Sequence, residues 1–136
     1  MNIRAFQPAD EQAVIELWRR CDLIRPLNDP HMDILRKQKV DPELFLVGEL
    51  AGKLIASVMA GYEGHRGWLN YVAVAPEYQR KGYAGIIVAE AERLLRQIGC
   101  PKINLQVRTT NKSVIAFYQK LGYSIDDVAG MGKRFK

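Results

Sequence analysis

Residues 68–107 constrain the fold more than any other part of this chain. Residues 68–74 are an apolar run of strand length, closed by Ala75 and Pro76. A short basic turn follows, Gln79-Arg80-Lys81-Gly82-Tyr83-Ala84, and residues 85–98 then read as an amphipathic helix. Ile87, Ala91, Leu94, Leu95 and Ile98 make its apolar stripe, with Glu90, Arg93 and Gln97 opposite. Gly99 stands where a helix ends, and Pro101 prevents continuation. Residues 103–107 alternate with the period of a strand. Strand, helix and strand in this order form a βαβ unit, which makes the two strands parallel.

The turn between strand and helix is suited to an anion. The first N–H groups of a helix have no partner inside it, and the helix dipole adds positive potential there. Gly82 lets the backbone turn and approach a ligand closely. Arg80 and Lys81 add formal charge. These features predict a phosphate or pyrophosphate cradle; the plain alternative is an ordinary strand-to-helix connection.

The rest of the chain reads as alternating short elements. Residues 2–6 form a strand, and a helix runs from the turn at residues 7–10 to Cys21, with Ala13, Val14, Leu17, Trp18 and Cys21 on one face and a Glu16–Arg20 pair on the other. Asp29 and Pro30 open a polar surface helix over residues 31–39, either a flap lining a substrate site or a solvated connector. Residues 44–49, 54–62 and 68–74 form an antiparallel meander, with Gly52 in the first connection. Asn111 caps a last helix over residues 112–121, whose inner face is Val114, Phe117, Tyr118 and Leu121, and Gly122 ends it. Residues 123–128 and 131–135 predict a closing hairpin, with residues 132–136 partly frayed.

Composition bounds the function classes. The 136 residues suit one domain with a sizeable core, and 48% hydrophobic with 26% charged residues is a globular composition. No apolar run approaches the roughly 20 residues needed to span a bilayer, and the N-terminus has no apolar signal core. A cytoplasmic protein without membrane attachment is expected. Cys21 and Cys100 show no metal spacing and are expected to be a reduced pair. His31 and His65 have no third ligand nearby, so no metal is expected. Residues 1–75 carry 9 basic and 10 acidic side chains, and residues 76–136 carry 11 basic and 5 acidic. The excess around the cradle suits a polyanionic small ligand. The basic residues are scattered singly, which argues against nucleic acid.

Two motifs resemble a known family. Gln79-x-x-Gly82-x-Ala84 matches the Q/R-x-x-G-x-G/A signature of the GNAT superfamily of N-acetyltransferases. Leu105-Gln106-Val107-Arg108-x-x-Asn111-x-x-x-Ile115-x-x-Tyr118-x-x-Leu121-Gly122-Tyr123 resembles that family's strand, Asn-led helix and Leu-Gly-aromatic closure. The element order resembles the GNAT fold over essentially the whole chain. The resemblance implies an α+β domain over residues 1–136. It has a central, mostly antiparallel twisted sheet, one parallel βαβ unit splayed to admit the cofactor, and about four helices. The subgroup looks most like small bacterial ribosomal-protein-alanine-type acetyltransferases.

The resemblance also implies roles. Acetyl-CoA would be the co-substrate and a primary amine the acceptor: a peptide N-terminus, a lysine or a small amine. The backbone of Val72, Ala73 and Val74 would pair with the pantetheine arm. The N–H groups of Gln79, Arg80, Lys81, Gly82, Tyr83 and Ala84 would hold the pyrophosphate. Asn111 would contact the pantetheine, cap its helix, or both. Tyr118 would donate a proton to the departing thiolate; otherwise it is a core tyrosine. Relatives are often dimers, which admits a homodimer. The chain departs from the pattern at residue 106, where ribosomal-protein-type relatives place a glutamate as general base through water. Gln106 cannot hold a transferred proton at neutral pH. Three outcomes stay open: a base in the loop before residue 68 (Glu63 or His65), an acceptor that arrives deprotonated, or a non-catalytic acyl-CoA-binding module.

Overall fold

The computed structural model describes residues 1–135, so the end of the segment expected to fray, Lys136, lies outside the described residues. Elements follow in the order β1 (Asn2–Ala5), α1 (Glu11–Arg20), α2 (Pro30–Lys37), β2 (Phe45–Leu50), β3 (Lys53–Tyr62), β4 (Gly67–Val74), α3 (Tyr83–Gln97), β5 (Ile103–Asn104) and α4 (Lys112–Lys120). The sheet order is β1-β2-β3-β4-β5, antiparallel up to β4 and parallel between β4 and β5. This is the mixed α+β architecture expected from the sequence. Residues 1–105 form one compact unit, and a second begins at Gln106.

Caps and charge pairs set the first unit's frame. Asp10 accepts the Gln7 N–H at 2.8 Å and takes the Arg4 guanidinium in a fork, at 2.7 and 2.9 Å. Arg4 also bonds Glu49 of β2, so one side chain ties β1 to its neighbour strand and to the start of α1. The Asp29 carboxylate accepts the Met32 N–H at 3.2 Å and caps α2, with Pro30 in its first turn. The expected Glu16–Arg20 pair does not form. Glu16 binds Arg19 one step nearer, and Arg20 finds Glu77, in the 3-10 turn Pro76–Tyr78 after β4.

Phe45 through Gly48 in β2 and Ile55 through Val58 in β3 are all buried. Successive strand residues point to opposite faces, so both faces of the sheet are covered. On α3 the buried stripe is Ile87, Val88, Ala91 and Leu95, while Ile98 stands half exposed past the helix end.

The second unit holds α4 and departs twice from the expected pattern. The strand expected over residues 103–107 stops at Asn104, the last of its residues to pair with β4. The expected closing hairpin is absent among the described residues: residues 122–135 contain no strand, and Ile125, Val128, Met131 and Phe135 are exposed. Asp126, Asp127, Gly130 and Gly132 interrupt this stretch, and an isolated two-stranded hairpin is marginal in water. On α4 only Tyr118 is buried; Leu121, expected on the inner face, is 37% exposed.

Candidate active site

The centre of β4 is bent. Ser57 lies opposite Ala73 and Met59 opposite Asn70, so Val58 faces two residues, Tyr71 and Val72. This is a bulge, and Tyr71 occupies the left-handed region at φ +52°, uncommon for an aromatic residue. Three contacts hold it there. The Trp18 ring stacks on the Tyr71 ring with centroids 3.7 Å apart. The Trp18 indole N–H donates to Ser57 Oγ at 2.9 Å, and the Ser57 hydroxyl donates to the Tyr71 carbonyl at 2.8 Å. The Tyr71 hydroxyl donates to Asp33 at 2.6 Å; burial, with the Asp33 carboxylate beside it, pushes its pKa up. Trp18 and Ser57 are fully buried. Ser57→Ala should therefore cost about 1–3 kcal/mol, because the indole N–H loses its acceptor inside the core. Urea unfolding of the variant checks this, and an unchanged midpoint would show that the relay does not hold the bulge.

Past Trp68, β4 keeps β3 as a partner and, among the described residues, no longer pairs on its β5 side. β5 pairs only at Gly67↔Ile103 and Trp68↔Asn104, so residues 69–74 present an open edge on that side. Gly67 permits this tight start: a Cβ there would sit 2.7 Å from Cys100 Sγ and 3.3 Å from Ile103 Cγ1. Val72, Ala73 and Val74 lie on the open stretch, which leads to the carboxyl end of the strand, where ligands of parallel units bind.

The turn 79–84 is built there. The Gln79 side-chain amide donates to the Val74 carbonyl at 2.9 Å, and Cys21 Sγ also reaches that oxygen at 3.3 Å. The glutamine of the motif thus clamps the turn to the strand. Its backbone N–H donates to Pro76 at 3.3 Å and is already used. Arg80 (φ +63°) and Gly82 (φ +88°) are both left-handed, which rolls the chain into α3. Residues 79–80 form a turn that directs the Lys81 N–H back into the chain, and among the described residues the backbone N–H groups of residues 80 and 82–85 form no hydrogen bond within the protein. Successive N–H groups in this kind of turn make an anion-binding nest. Of the expected residues, Arg80, Gly82, Tyr83 and Ala84 present such N–H groups, Gly85 adds one, and the N–H groups of Gln79 and Lys81 turn into the chain. Lys81 Nζ stands 5.7 Å from the Tyr78 ring centre, and Tyr78 meets Tyr83 edge-on.

The other expected residues are distributed differently. The Glu63 carboxylate accepts the N–H groups of His65 at 3.1 Å and Arg66 at 2.5 Å, so it caps its own loop. That loop enters β4 at the paired end, while the cradle follows the other end, about 23 Å away along an eight-residue strand. Between that loop and the bulge at Tyr71 lie four residues of β4, Gly67 to Asn70. In the second unit, Asn111 caps α4 by accepting from the Val114 N–H at 3.4 Å and the Ser113 hydroxyl at 3.3 Å. Tyr118 is 8% exposed, edge-on to Phe117 and Tyr123, and burial pushes its hydroxyl up to about 12. Gln106 is exposed, its Nε2 3.6 Å from where a Cβ on Gly130 would be. No cluster of three metal-ligating side chains occurs among the described residues, and none of their helices is long and apolar enough to cross a membrane. Both cysteines are free thiols.

A cavity of about 570 Å³, not foreseen from the sequence, opens beside the bulge, with Leu23, Val40 and Met59 as its apolar wall and Asn70 and Tyr71 of β4 at its base. Asp33, Arg36 and Lys37 of α2 line it too, so α2 is a wall of a pocket and not a solvated connector. The signal was the spacing: Ile34 and Lys37, the buried residues of α2, are three apart and share a face.

The acetyltransferase (GNAT) family model matches residues 11–123. An acetyltransferase from Yersinia enterocolitica is 49% identical over 134 residues, covering 98% of this chain and 95% of the relative. A putative acetyltransferase from Agrobacterium tumefaciens has a similar fold (TM-score 0.82, 16% identity, covering 98% of this chain and 100% of that one). So does the ribosomal-protein-S18-alanine N-acetyltransferase of Escherichia coli (TM-score 0.74, 23% identity, 89% and 76%). A family match over most of the chain and a near full-length relative at 49% identity carry the same conclusion as the two motifs: the chain belongs to the GNAT acetyltransferase family and is an acyltransferase.

Proposed function

We propose that the protein transfers the acetyl group of acetyl-CoA to a primary amine by direct attack, within a single domain spanning residues 1–136. The observation that carries this reading is the set of unpartnered N–H groups at residues 80 and 82–85, lying just past the open edge of β4. Five donors beside the Arg80 and Lys81 side chains fit a pyrophosphate. The open stretch of Val72, Ala73 and Val74 fits the amides of a pantetheine arm, taken up like an added strand. The bulge turns backbone N–H groups near Val72 out of the regular ladder, which suits polarisation of a thioester carbonyl.

In the reaction the amine lone pair attacks the carbonyl carbon, a C–N bond forms, the C–S bond breaks and the sulfur leaves as thiolate, and the proton shed by the nitrogen passes through water to that thiolate. Tyr118 is the proposed acid, on the strength of its motif. With a pKa of about 12 it is protonated at neutral pH. Full proton transfer to a thiolate of pKa about 8.5 is uphill, so Tyr118 stabilises the departing sulfur chiefly as a hydrogen-bond donor. Asn111 holds the start of the same helix.

Gln106 cannot serve as base, and the Glu63–His65 loop lies behind the paired end of the gap. The amine therefore attacks from its own neutral fraction. kcat/KM should rise with pH until it reaches the pKa of the acceptor amine, and Glu63→Ala and His65→Ala should leave that profile unchanged. An acidic limb at about pH 4–7 that either variant removes would restore a base in the loop. Thiol release from acetyl-CoA against a panel of peptides, lysine and small amines tests the function itself, and turnover of none of them would refute it.

A further inference from the structure

The cavity beside the bulge has an unbalanced wall. Asp33 is fully engaged: one carboxylate oxygen accepts the Tyr71 hydroxyl at 2.6 Å and the other accepts Arg36 at 2.9 Å. Arg36 is thereby paired as well. Lys37 is different. It is only 9% exposed, it lines the same cavity, and no acceptor among the described residues hydrogen-bonds its ammonium. Asp41 and Glu43 act on it only through their fields, and burial holds its pKa below the usual lysine value. The Lys37 side chain is mostly covered while its ammonium has no hydrogen-bonded partner in the protein, which is costly.

The position of Lys37 gives a length. Its Nζ lies 3.7 Å from where a Cβ on Gly61 would be, and Gly61 sits opposite Trp68 of β4. The bulge at Tyr71 is three residues further along β4, about 10 Å by strand rise. Asn28 and Asn70 also line the cavity and offer side-chain amides to an oxyanion.

We infer that this pocket takes a small amine carrying an anionic group, carboxylate or phosphate, which Lys37 holds on the order of 10 Å from the reacting nitrogen. The inference rests on acetyl transfer at the β4 bulge, and among the three acceptor classes it selects the small amine. A chain N-terminus or a protein lysine brings no anion at that separation by necessity.

The test compares ω-aminohexanoate, ω-aminohexyl phosphate and hexylamine as acceptors with the full chain and acetyl-CoA. Calorimetry of each amine against coenzyme A-saturated protein runs in parallel. In the wild type at least one anionic amine should exceed hexylamine by about tenfold or more in kcat/KM, the scale of one charge-assisted hydrogen bond. Which anion is preferred assigns carboxylate or phosphate. Lys37→Met should bring the ratio close to one, and Lys37→Arg, which keeps the charge, should retain most of it. Equal use of all three amines by the wild type overturns the inference and leaves acetyl transfer standing. A preference that survives Lys37→Met overturns it too. Turnover of no amine would count against the transferase reading, while the calorimetric preference and its dependence on Lys37 would still decide what the pocket binds.

Discussion

Replacing Gly82 with aspartate is expected to weaken coenzyme A binding by about two orders of magnitude, and replacing it with asparagine is expected to weaken it far less. Gly82 sits at φ +88°, and a Cβ placed there would have nothing within 4 Å, so neither side chain clashes. Both must adopt the left-handed region, which Asn and Asp enter more readily than other non-glycine residues. The backbone penalty is therefore nearly common to the pair. What remains is one carboxylate in a nest of unpartnered N–H groups, where it occupies the donors and repels the pyrophosphate. Two like charges about 4 Å apart cost between ~1 kcal/mol in water and ~4 kcal/mol near a protein surface, and each 1.4 kcal/mol is tenfold. Calorimetry at low ionic strength gives the comparison. Equal affinity for wild type, Gly82→Asn and Gly82→Asp would remove the cradle from residues 80–85.

The second large effect is expected at Tyr118. Tyr118→Phe keeps the ring, and so keeps its edge-on contacts with Phe117 and Tyr123. Only the hydroxyl is lost. A general acid contributes about 10²–10⁴-fold, and the low end applies here, because the thiolate is already a fair leaving group and the proton transfer is uphill. kcat should fall about 10²-fold, while coenzyme A affinity stays within a factor of about two, as expected for a group that acts mainly in the transition state. Single-turnover measurements separate the chemical step from product release. An unaltered chemical step would return Tyr118 to a packing role. The hydroxyl also sets a stability signature. Its folded pKa of about 12 lies above the ordinary tyrosine value of about 10, so the native state holds the proton more tightly. The contribution is fully present below pH 10 and is lost as pH rises towards 12.

Local patterns made some of this legible in advance. The stripe on α3 and the glycine after it are periodic signals, and the two family motifs implied the sheet order around them. The unpaired N–H groups before α3 were legible because a helix start leaves its own N–H groups unpaired wherever it occurs. Three things were not legible, each for a physical reason. The period-two pattern of residues 103–107 states what the side chains could do, but a strand also needs a backbone partner, and β4 turns away after Trp68. The left-handed Tyr71 depends on Trp18 and Ser57, which lie 53 and 14 residues away in sequence and meet it only through tertiary packing. The buried Lys37 looked solvent-facing, because its α2 neighbours Asp33 and Arg36 are also charged, and only its three-residue spacing from Ile34 marks it as facing inward. Arg20 meets Glu77, 57 residues away, through tertiary packing that its own helix does not announce.

Backbone N–H groups without a hydrogen bond among the described residues, at 80 and 82–85, also link the protein's endurance to its chemical surroundings. A ligand that binds the folded chain and not the unfolded one adds RT ln(1 + [L]/Kd) to stability, about 2.7 kcal/mol at a hundredfold excess over Kd. Native proteins are stable by only about 5–15 kcal/mol, so that increment changes the unfolded fraction roughly a hundredfold. Proteases that act on the opened chain follow that fraction when opening and closing are fast. A polyanion filling the cradle would therefore act as a preservative as well as a reactant, and starvation for it would shorten the protein's half-life before any change in synthesis.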